Sequence, residues 1–434
     1  MRHRKAVLSS LVLVALASSS AWVSGCSNDD QTDPTPPPGG FDATPGGGGD
    51  DSALYPPSEC ARVGDEVQVT ADANVFTLTL LWDTDHYLLA YADRSVNGGE
   101  IFTKLLDAAG NPVSEPIAIG SPPNFSKIPS VTKVATGGYL LAWEEGAKPW
   151  APGQGDREVG YAPAEVYTVA LDANGAPTGA PLLIATSSAE EARPIVTTGP
   201  ESPILTWMEG DYFSGASTAY VAKLDATGAV VGTKVALGTA SSAFPHVKGD
   251  ATGVAVIYSQ GSGADSASIV FGMLDPKLAV TSPQSLRVPP GDARLARLSR
   301  SGSSFLAAWE DFRSTNEQVY MALVDPVANA KTPETLVENP GTGSANWPNI
   351  ASKEDGSASA IVYYQFRQSR PQIFLAYIDS TGTKIGGDLQ VSGTPITANA
   401  KYPDVQWTGS NFGTAWIDSR LGPAQVYFAN VVCP

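Results

Sequence analysis

The chain has 434 residues and a formal net charge of −17 at pH 7, with 44 acidic and 27 basic side chains. A surface this negative repels nucleic acid and anionic headgroups, so we expect neither as a partner. The chain is also longer than the size at which a single hydrophobic core stops growing. It therefore has either several domains or a repeated unit.

Residues 1–25 have the pattern of a secretory signal: basic residues, then an apolar run at residues 6–17, then small residues. The run is shorter than the ~20 residues of a membrane-spanning helix. The letters VSGC, which end at Cys26, resemble the lipobox of bacterial lipoproteins. This resemblance implies that Cys26 is acylated and anchors the chain in the cell envelope. Ser27 resembles an outer-membrane sorting signal, and an ordinary signal peptide is the alternative.

Residues 26–57 are rich in Asp, Pro and Gly, as in DPTPPPGGFDATPGGGGDD. Such a segment buries too little apolar surface to offset its ordering entropy, so it is predicted to be a disordered tether. No second linker interrupts residues 58–434. A domain of this size without an internal boundary indicates repeated units that pack on their neighbours.

A strand that ends in an aromatic residue recurs seven times after the tether, at intervals of 51 to 64 residues. We call its last residue the anchor. The anchors are Tyr91, Trp143, Trp207, Tyr258, Trp309, Tyr363 and Trp416. So regular a period favours one structural unit per anchor.

Each unit reads as four short strands. A strand introduced by proline precedes most anchors, as in IPSV, RPIV, FPHV, WPNI and YPDV. A third strand follows and ends in aspartate, then comes an Asp-x-x-Gly turn and a fourth strand. Without any helical periodicity, this pattern predicts an all-β fold, a seven-bladed β-propeller of four-stranded blades.

The last unit lacks its fourth strand, and residues 66–69 form an unassigned strand before the first unit. Pairing the two would close the ring. Aligning these segments on the sixth blade puts Cys60 and Cys433 on either side of one hairpin turn. The sequence therefore predicts a Cys60–Cys433 disulfide, which an exported chain permits.

An aromatic, acid and arginine motif follows four of the second strands, ending at Arg94, Arg313, Arg367 and Arg420. Arginines that converge on a propeller axis resemble the carboxylate site of sialidases. The sialidase Asp-box is absent, however, and a motif repeated at one place in separate blades favours a local role. We expect the Asp to cap a turn and the Arg to stack on or pair with a neighbouring blade.

Other chemistry has little support in the sequence. His86 and His246 are the only histidines outside the signal, and no zinc, calcium or Cys-His pattern is present. We expect no cofactor and no metal. The paired acids Glu144-Glu145 and Glu310-Asp311 are of the residue type that cleaves glycosides, but adjacent residues on a strand point apart. They are interpreted as solvated turn acids.

The second blade carries an insertion, residues 144–163, between its second and third strands. In a propeller this loop shares a face with the connections between blades. Exposed aromatic side chains on rigid loops bind sugars and peptides. The candidate ligand-binding residues are Trp150, Arg157 and Tyr161 here, with Tyr212 and Phe213 in the same loop of the third blade. The alternative is a loop that merely covers the adjacent blade.

The units resemble the degenerate propeller repeats of uncharacterised bacterial lipoproteins, especially those of deltaproteobacteria. The leading hypothesis is a monomeric, lipid-anchored binding or scaffold protein of the outer membrane, without catalytic residues, that presents one propeller face to a protein or glycan. A sialidase-like glycan hydrolase or lyase is one alternative. A lipoprotein subunit of an envelope assembly is another.

Overall fold

The computed structural model describes residues 57–96, 99–120, 125–146, 164–187, 192–212, 214–239, 241–261, 267–288, 290–314, 316–339, 343–367, 370–393 and 399–434. None of these residues belongs to a helix that is long and apolar enough to cross a membrane. Cys26, with the predicted signal and tether, lies outside the described residues.

The described residues form seven antiparallel sheets, each with four strand positions. In chain order the strands are β1 (Ala61–Gln68); in blade 1, β2 (Val75–Asp83), β3 (His86–Asp93), β4 (Glu100–Asp107) and β5 (Ile117–Ala118); in blade 2, β6 (Phe125–Lys133), β7 (Tyr139–Gly146), β8 (Ala164–Leu171) and β9 (Leu182–Ser187); in blade 3, β10 (Ile195–Thr197), β11 (Ile204–Glu209), β12 (Thr218–Leu224) and β13 (Val230–Leu237). The list continues in blade 4 with β14 (Ser242–Asp250), β15 (Gly253–Gln260), β16 (Ser268–Leu274) and β17 (Val280–Arg287); in blade 5 with β18 (Ala293–Ser301), β19 (Ser304–Asp311), β20 (Gln318–Asp325), β21 (Ala330–Lys331) and β22 (Thr335–Leu336); in blade 6 with β23 (Ala345–Ser352), β24 (Ala358–Arg367), β25 (Arg370–Asp379) and β26 (Lys384–Gln390); and in blade 7 with β27 (Ala400–Trp407), β28 (Phe412–Asp418) and β29 (Gln425–Val432). In blade 5, β21 and β22 share the fourth position, since both pair with β20.

The first strand of each blade contacts the first strands of both neighbouring blades, and these contacts close from β27 back to β2. The first strands are therefore the inner strands of a ring. This is the predicted seven-bladed β-propeller. We call the face with the second-to-third and blade-to-blade connections the connection face, and the opposite one the turn face.

The hydrophobic core is divided among the spaces between blades, which is how a chain of this length avoids one oversized core. The tryptophan anchors are at most 1 % exposed. Most anchors stack on an aromatic residue of the third strand, as Trp143 does on Tyr167 at 5.7 Å and Trp207 does on Tyr220 at 5.9 Å. The anchor is thus the central packing residue of its blade.

The Asp-x-x-Gly turns bring neighbouring blades into close contact. Gly175 has a φ of 82°, and its carbonyl accepts the Thr103 hydroxyl of the previous blade at 2.7 Å. A Cβ on Gly175 would lie 2.9 Å from Leu88 Cδ1. Glycine is required there both by its left-handed backbone and by the adjacent blade.

Strand β1 completes blade 7 by pairing with β29. Val67 pairs with Phe428, just as Leu389 pairs with Leu375 in blade 6, so the predicted register is confirmed. The predicted disulfide is confirmed as well, since Cys60 and Cys433 are bonded with a Cα–Cα distance of 4.2 Å. The ring is closed both by strand pairing and covalently.

Candidate functional site

The inner strands are interrupted by a bulge at the same place in most blades. In blade 2, Lys127 pairs with Glu144 and Ser130 with Ala142, so Ile128 and Pro129 lie opposite the single anchor Trp143. The same two-against-one arrangement recurs opposite the anchors of blades 4, 5, 6 and 7. The prediction that proline begins the strand is confirmed only for β10, which starts directly after Pro194; in β6, β14, β23 and β27 proline lies inside the strand. A bulge tolerates proline because no ladder hydrogen bond is needed there.

The residue before each bulge proline has a left-handed backbone, which is uncommon for side chains other than glycine. The six residues at this position, with φ between 47° and 56°, are Ile128, Arg193, Phe244, Leu295, Trp347 and Tyr402. In blade 5 the next residue is Ala296 instead of proline. The bulges aim these side chains away from the regular strand pattern.

Five of these side chains meet around the propeller axis, together with Phe76 of blade 1. We call Phe76, Arg193, Phe244, Leu295, Trp347 and Tyr402 the axial cluster. Tyr402 contacts Phe76 at 6.4 Å and Trp347 at 4.9 Å between ring centroids. The Arg193 guanidinium lies 5.2 Å from the Trp347 ring and 5.7 Å from the Phe244 ring. Because Arg193 and Trp347 belong to blades 3 and 6, this contact crosses the axis.

The axial cluster has an accessible side and a buried side. Phe76, Phe244 and Leu295 are between 5 and 7 % exposed. Trp347, Tyr402 and Arg193 are only half-buried. Two aromatic rings and one guanidinium are thus presented together, on a base of packed apolar side chains.

Carboxylates of the preceding blades fix the backbone of the cluster. Glu144 of blade 2 accepts the N–H of Arg193 at 2.8 Å, and Glu310 of blade 5 accepts the N–H of Trp347 at 2.8 Å. Glu144 also lies 3.2 Å from the buried ammonium of Lys127. Burial raises the pKa of Glu310, while Arg294 and the Trp347 N–H favour its ionised form. These acids position the cluster rather than face solvent.

Both predicted acid pairs are buried, which corrects the interpretation of solvated turn acids. Glu144 and Glu145 are both 0 % exposed, and Asp311 is equally buried. The two side chains of each pair do point apart: Glu145 accepts the indole N–H of Trp143 at 2.6 Å, within its own blade. Burial raises the pKa of Glu145 to about 7. These acids lie inside the fold because they satisfy buried donors of the same or the next blade.

Two of the predicted arginines lie toward the outer strands of their own blades. Arg313 pairs with Asp311 and Glu334 and lies 4.1 Å from the Tyr320 ring. Arg420 pairs in the same way with Asp418 and with Glu66 of β1, and lies 4.3 Å from the Tyr427 ring. Both partners belong to the same blade rather than to a neighbouring one.

Arg94 differs from these two, because it lies 3.8 Å from the Phe76 ring, at the edge of the axial cluster. The side chain of Arg367 lies outside the described part of the chain. The predicted arginine set therefore does not converge: of the three described side chains, one approaches the axis.

Of the predicted ligand-binding residues, Trp150, Arg157, Tyr161 and Phe213 lie outside the described residues. Tyr212 is described and is 2 % exposed, so the expectation of an exposed ring does not hold. Its ring packs edge-on against Phe244 at 4.9 Å, and its hydroxyl donates to Asp292. Tyr212 supports the axial cluster from behind.

The histidines lie apart from one another. His86 in blade 1 bonds to Asp85 through Nδ1 at 2.7 Å and to the Tyr139 hydroxyl through Nε2 at 2.9 Å. His246 lies on β14 beside the axis, where burial lowers its pKa well below the usual value. Within the described ranges no three His, Cys, Asp or Glu side chains are grouped closely enough to hold a metal ion.

The sequence reasoning missed the axial cluster, although its signal was present. The repeats IPSV, RPIV, FPHV, WPNI and YPDV place a large side chain directly before proline in five blades. A concavity of about 570 Å³ lies between blades 7 and 1 and is lined by residues such as Asp72, Asn74 and Gln425. It contains no residue of the cluster.

Comparison with known proteins places the chain by fold. No protein-family model matches it, and no curated protein does. A Dyadobacter fermentans protein of unknown function aligns over 87 % of this chain and all of its own, with a TM-score of 0.53 and 12 % identity. The polysaccharide lyase Uly1 aligns over 86 % of this chain and all of its own, with a TM-score of 0.51 and 9 % identity. A Trypanosoma rangeli sialidase aligns over 86 % of this chain and 60 % of its own, with a TM-score of 0.46 and 8 % identity. At such identities the likeness concerns the propeller fold alone.

Proposed function

We propose that this chain is a lipid-anchored binding protein of the cell envelope whose propeller binds an acidic glycan at the axial cluster. The observation that carries the proposal is the pairing of half-exposed Trp347 and Tyr402, 4.9 Å apart, with the Arg193 guanidinium 5.2 Å from the Trp347 ring. The cluster is held on a rigid ring of seven inner strands rather than on loops.

The chemistry of these side chains selects the ligand class. The faces of aromatic rings bind the apolar faces of sugars, while Tyr hydroxyl and Trp indole groups supply polar contacts at the edge. A guanidinium binds carboxylates and sulfates in a planar, two-pronged manner, which a lysine does not reproduce. Together they fit a sugar that carries a carboxylate or a sulfate.

A binding role fits the carboxylates around the cluster better than catalysis does. Glu144 and Glu310 each accept the N–H of a cluster residue and are at most 4 % exposed. Asp292 accepts the Tyr212 hydroxyl. A general acid must reach the glycosidic oxygen of a bound sugar, and these buried carboxylates are already engaged with the fold.

The proposed location rests on residues 1–57. Acylation of Cys26 would hold the protein in the membrane, and the Asp, Pro and Gly-rich segment would let the propeller reach ligands away from it. The proposed location of the protein is the outer membrane. A protein ligand, or a subunit role in an envelope assembly, is the alternative that pull-down from solubilised membrane would reveal.

A glycan array probed with the full-length protein tests the proposal. We expect wild-type protein to retain uronate-containing or sulfated oligosaccharides and the variant Trp347→Ala to lose them. Trp407→Ala is the matched control, because Trp407 is a half-buried tryptophan of an inner strand that packs on Phe412 at 4.8 Å, outside the cluster. Retention of no acidic glycan, or equal loss in both variants, would overturn the proposal. Cleavage of a retained glycan would replace it with the hydrolase or lyase alternative.

A further inference from the structure

Beyond the axial cluster, polar and charged side chains line the axis. Two residues after the bulge position, the inner strands of blades 4 to 7 carry His246, Arg297, Asn349 and Asp404. The ladders place all four at one level, since each pairs with the residue directly before the anchor of its blade. Two residues in a strand span about 6–7 Å, so this layer lies one step toward the turn face.

Hydrogen bonds connect part of this layer around the ring. Arg297 Nε donates to Asn349 Oδ1 at 3.2 Å, and Asn349 Nδ2 donates to the carbonyl of Pro403 at 2.7 Å. Asp404 accepts the N–H groups of Leu80 and Val405, both at 2.8 Å. Asn349 and Asp404 therefore have their polar partners within the fold.

Lys248, two residues further along β14, is a cation without a direct partner. Its side chain is accessible to solvent although protein atoms surround it, and among the described residues it has neither an ion pair nor a hydrogen bond. Lys248 lies two residues after His246, and the ladder between β14 and β15 is regular there, so both side chains leave β14 on the same face. Lys248 therefore faces the central channel together with His246, and Asp404 of blade 7 acts on its pKa from across the axis.

The carboxylates near Lys248 are already compensated. Asp250 pairs with Arg300 at 3.2 Å. Asp404 has its two backbone donors and also interacts with Arg297 from across the channel. On the other side of Lys248, His246 has a buried Nδ1 with no hydrogen-bond partner in the described structure. Two cations and one unused imidazole nitrogen thus lie along the same stretch of the channel.

We infer that the axial channel binds one small oxyanion between Lys248, Arg297 and the Nδ1–H of His246. A lysine and an arginine that face one channel attract an anion more strongly than isolated cations on the outer surface do, because protein replaces part of the water that would screen them. The His246 tautomer with a proton on Nδ1 would donate the third contact. Free phosphate and sulfate share the required chemistry.

The pKa shifts of these groups favour the binding of an anion. Burial lowers the pKa of Lys248 and lowers that of Arg297 to about 10. Arg297 and Lys248 further lower the pKa of His246, which keeps its imidazole neutral. A bound anion would relieve the cost of holding the two cations charged.

Access to this site is independent of the axial cluster. Arg193 and Trp347 meet across the axis at the connection-face end of the channel. An anion would therefore enter from the turn face. Binding of phosphate should survive Trp347→Ala, so failure of this inference and failure of the proposed glycan site are distinguishable.

Calorimetric titration of the full-length protein with inorganic phosphate, and separately with sulfate, at constant ionic strength tests the inference. We expect one site per chain, weakened at least about tenfold by Lys248→Gln. Lys277→Gln is the matched control, because it removes the same charge from an exposed turn of the same blade. We expect phosphate to bind this control as it binds wild type. His246→Phe should weaken binding without removing a charge.

A second readout does not depend on the titration. Lys248→Gln should unfold at the same temperature as wild type or higher when no phosphate is present, because it removes a charge in the channel that has no direct partner among the described residues. Phosphate should then raise the unfolding temperature of wild type and not that of the variant. No saturable binding by wild type, or equal binding by Lys248→Gln and Lys277→Gln, would overturn the inference.

Discussion

The carboxylate of Glu310 accepts the backbone N–H of Trp347 at 2.8 Å, across the boundary between blades 5 and 6. Trp347 has a left-handed backbone with a φ of 56°, so its N–H points away from its own ladder. Glu310 is 4 % exposed and lies 3.8 Å from Arg294. One buried acid thus fixes both the bulge of the next blade and a half-buried aromatic group of the candidate site.

Replacing Glu310 with alanine should lower the free energy of unfolding by about 2–4 kcal/mol. The change leaves the buried N–H of Trp347 without its acceptor and removes one of the three carboxylates around the Arg294 guanidinium. Glu310→Gln should cost less, because its amide oxygen still accepts the N–H. Urea unfolding of the full-length protein measures both. The exposed Glu354 provides the control, whose alanine variant should match wild type. A Glu310→Ala midpoint equal to wild type would contradict this role.

The Cys60–Cys433 disulfide should stabilise the closed ring. It links residues separated by 373 positions, and the chain-entropy relation gives about 6 kcal/mol for so long a loop, just above the usual upper value of about 5 kcal/mol. Replacing both cysteines with alanine should lower the free energy of unfolding by a similar amount, which urea unfolding would show as a lower midpoint. Reduction of the wild-type protein is the matched comparison and should give the same midpoint. Unchanged stability in both would mean that strand pairing alone closes the ring.

Stability should fall as pH rises from about 5 to 8. Burial raises the pKa of Glu145 to about 7 from a usual value of 4.5, and burial likewise raises the pKa of Glu338 to about 7. At pH values between the usual and the raised pKa, both carboxyl groups hold protons in the folded protein that they have released in the unfolded chain. The stabilisation that these two protonated groups contribute is therefore complete below about pH 4.5 and is lost as pH rises through about 7.

Glu145→Gln should flatten that decline by about 2–3 kcal/mol between pH 5 and 8, because the amide does not titrate. Its oxygen still accepts the indole N–H of Trp143. Urea midpoints at the two pH values provide the measurement, and Glu354→Gln is the control that should follow wild type. If the Glu145→Gln and wild-type curves run parallel, the raised pKa is wrong.

Cys26→Ala should abolish membrane anchoring. Full-length wild-type protein expressed with its own leader should partition into the detergent phase and carry acyl chains on its first residue by mass spectrometry. The variant should stay in the aqueous phase, with the Cys60–Cys433 bond intact. Wild-type protein without acyl chains would leave residues 1–25 as an ordinary signal peptide.

The ring could be predicted from the sequence because its determinants are local and repeated. The anchor spacing sets the blade count, and the terminal strands fall into register once Gln425 is aligned with Gln372. The cysteines provided an independent constraint on the same register. Each of these determinants lies within one repeated unit or in the first and last strands of the propeller.

The candidate site could not be predicted in the same way, because its contacts join distant units. Arg193 and Trp347 belong to blades on opposite sides of the axis. A residue before proline normally avoids the helical region and reads as extended chain, so local preference hides the left-handed bulge. The burial of Glu144 likewise depends on backbone donors of the next blade, at Ala192 and Arg193.

Hydrogen–deuterium exchange of the full-length protein, with and without the best acidic glycan from the array, tests the location of the ligand most directly. The proposal predicts slower exchange in peptides that contain Arg193, Trp347 and Tyr402, from three different blades. Peptides of the concavity between blades 7 and 1, such as those with Asp72 and Gln425, should exchange as before. Protection confined to that concavity or to other outer segments would contradict a glycan site at the axial cluster.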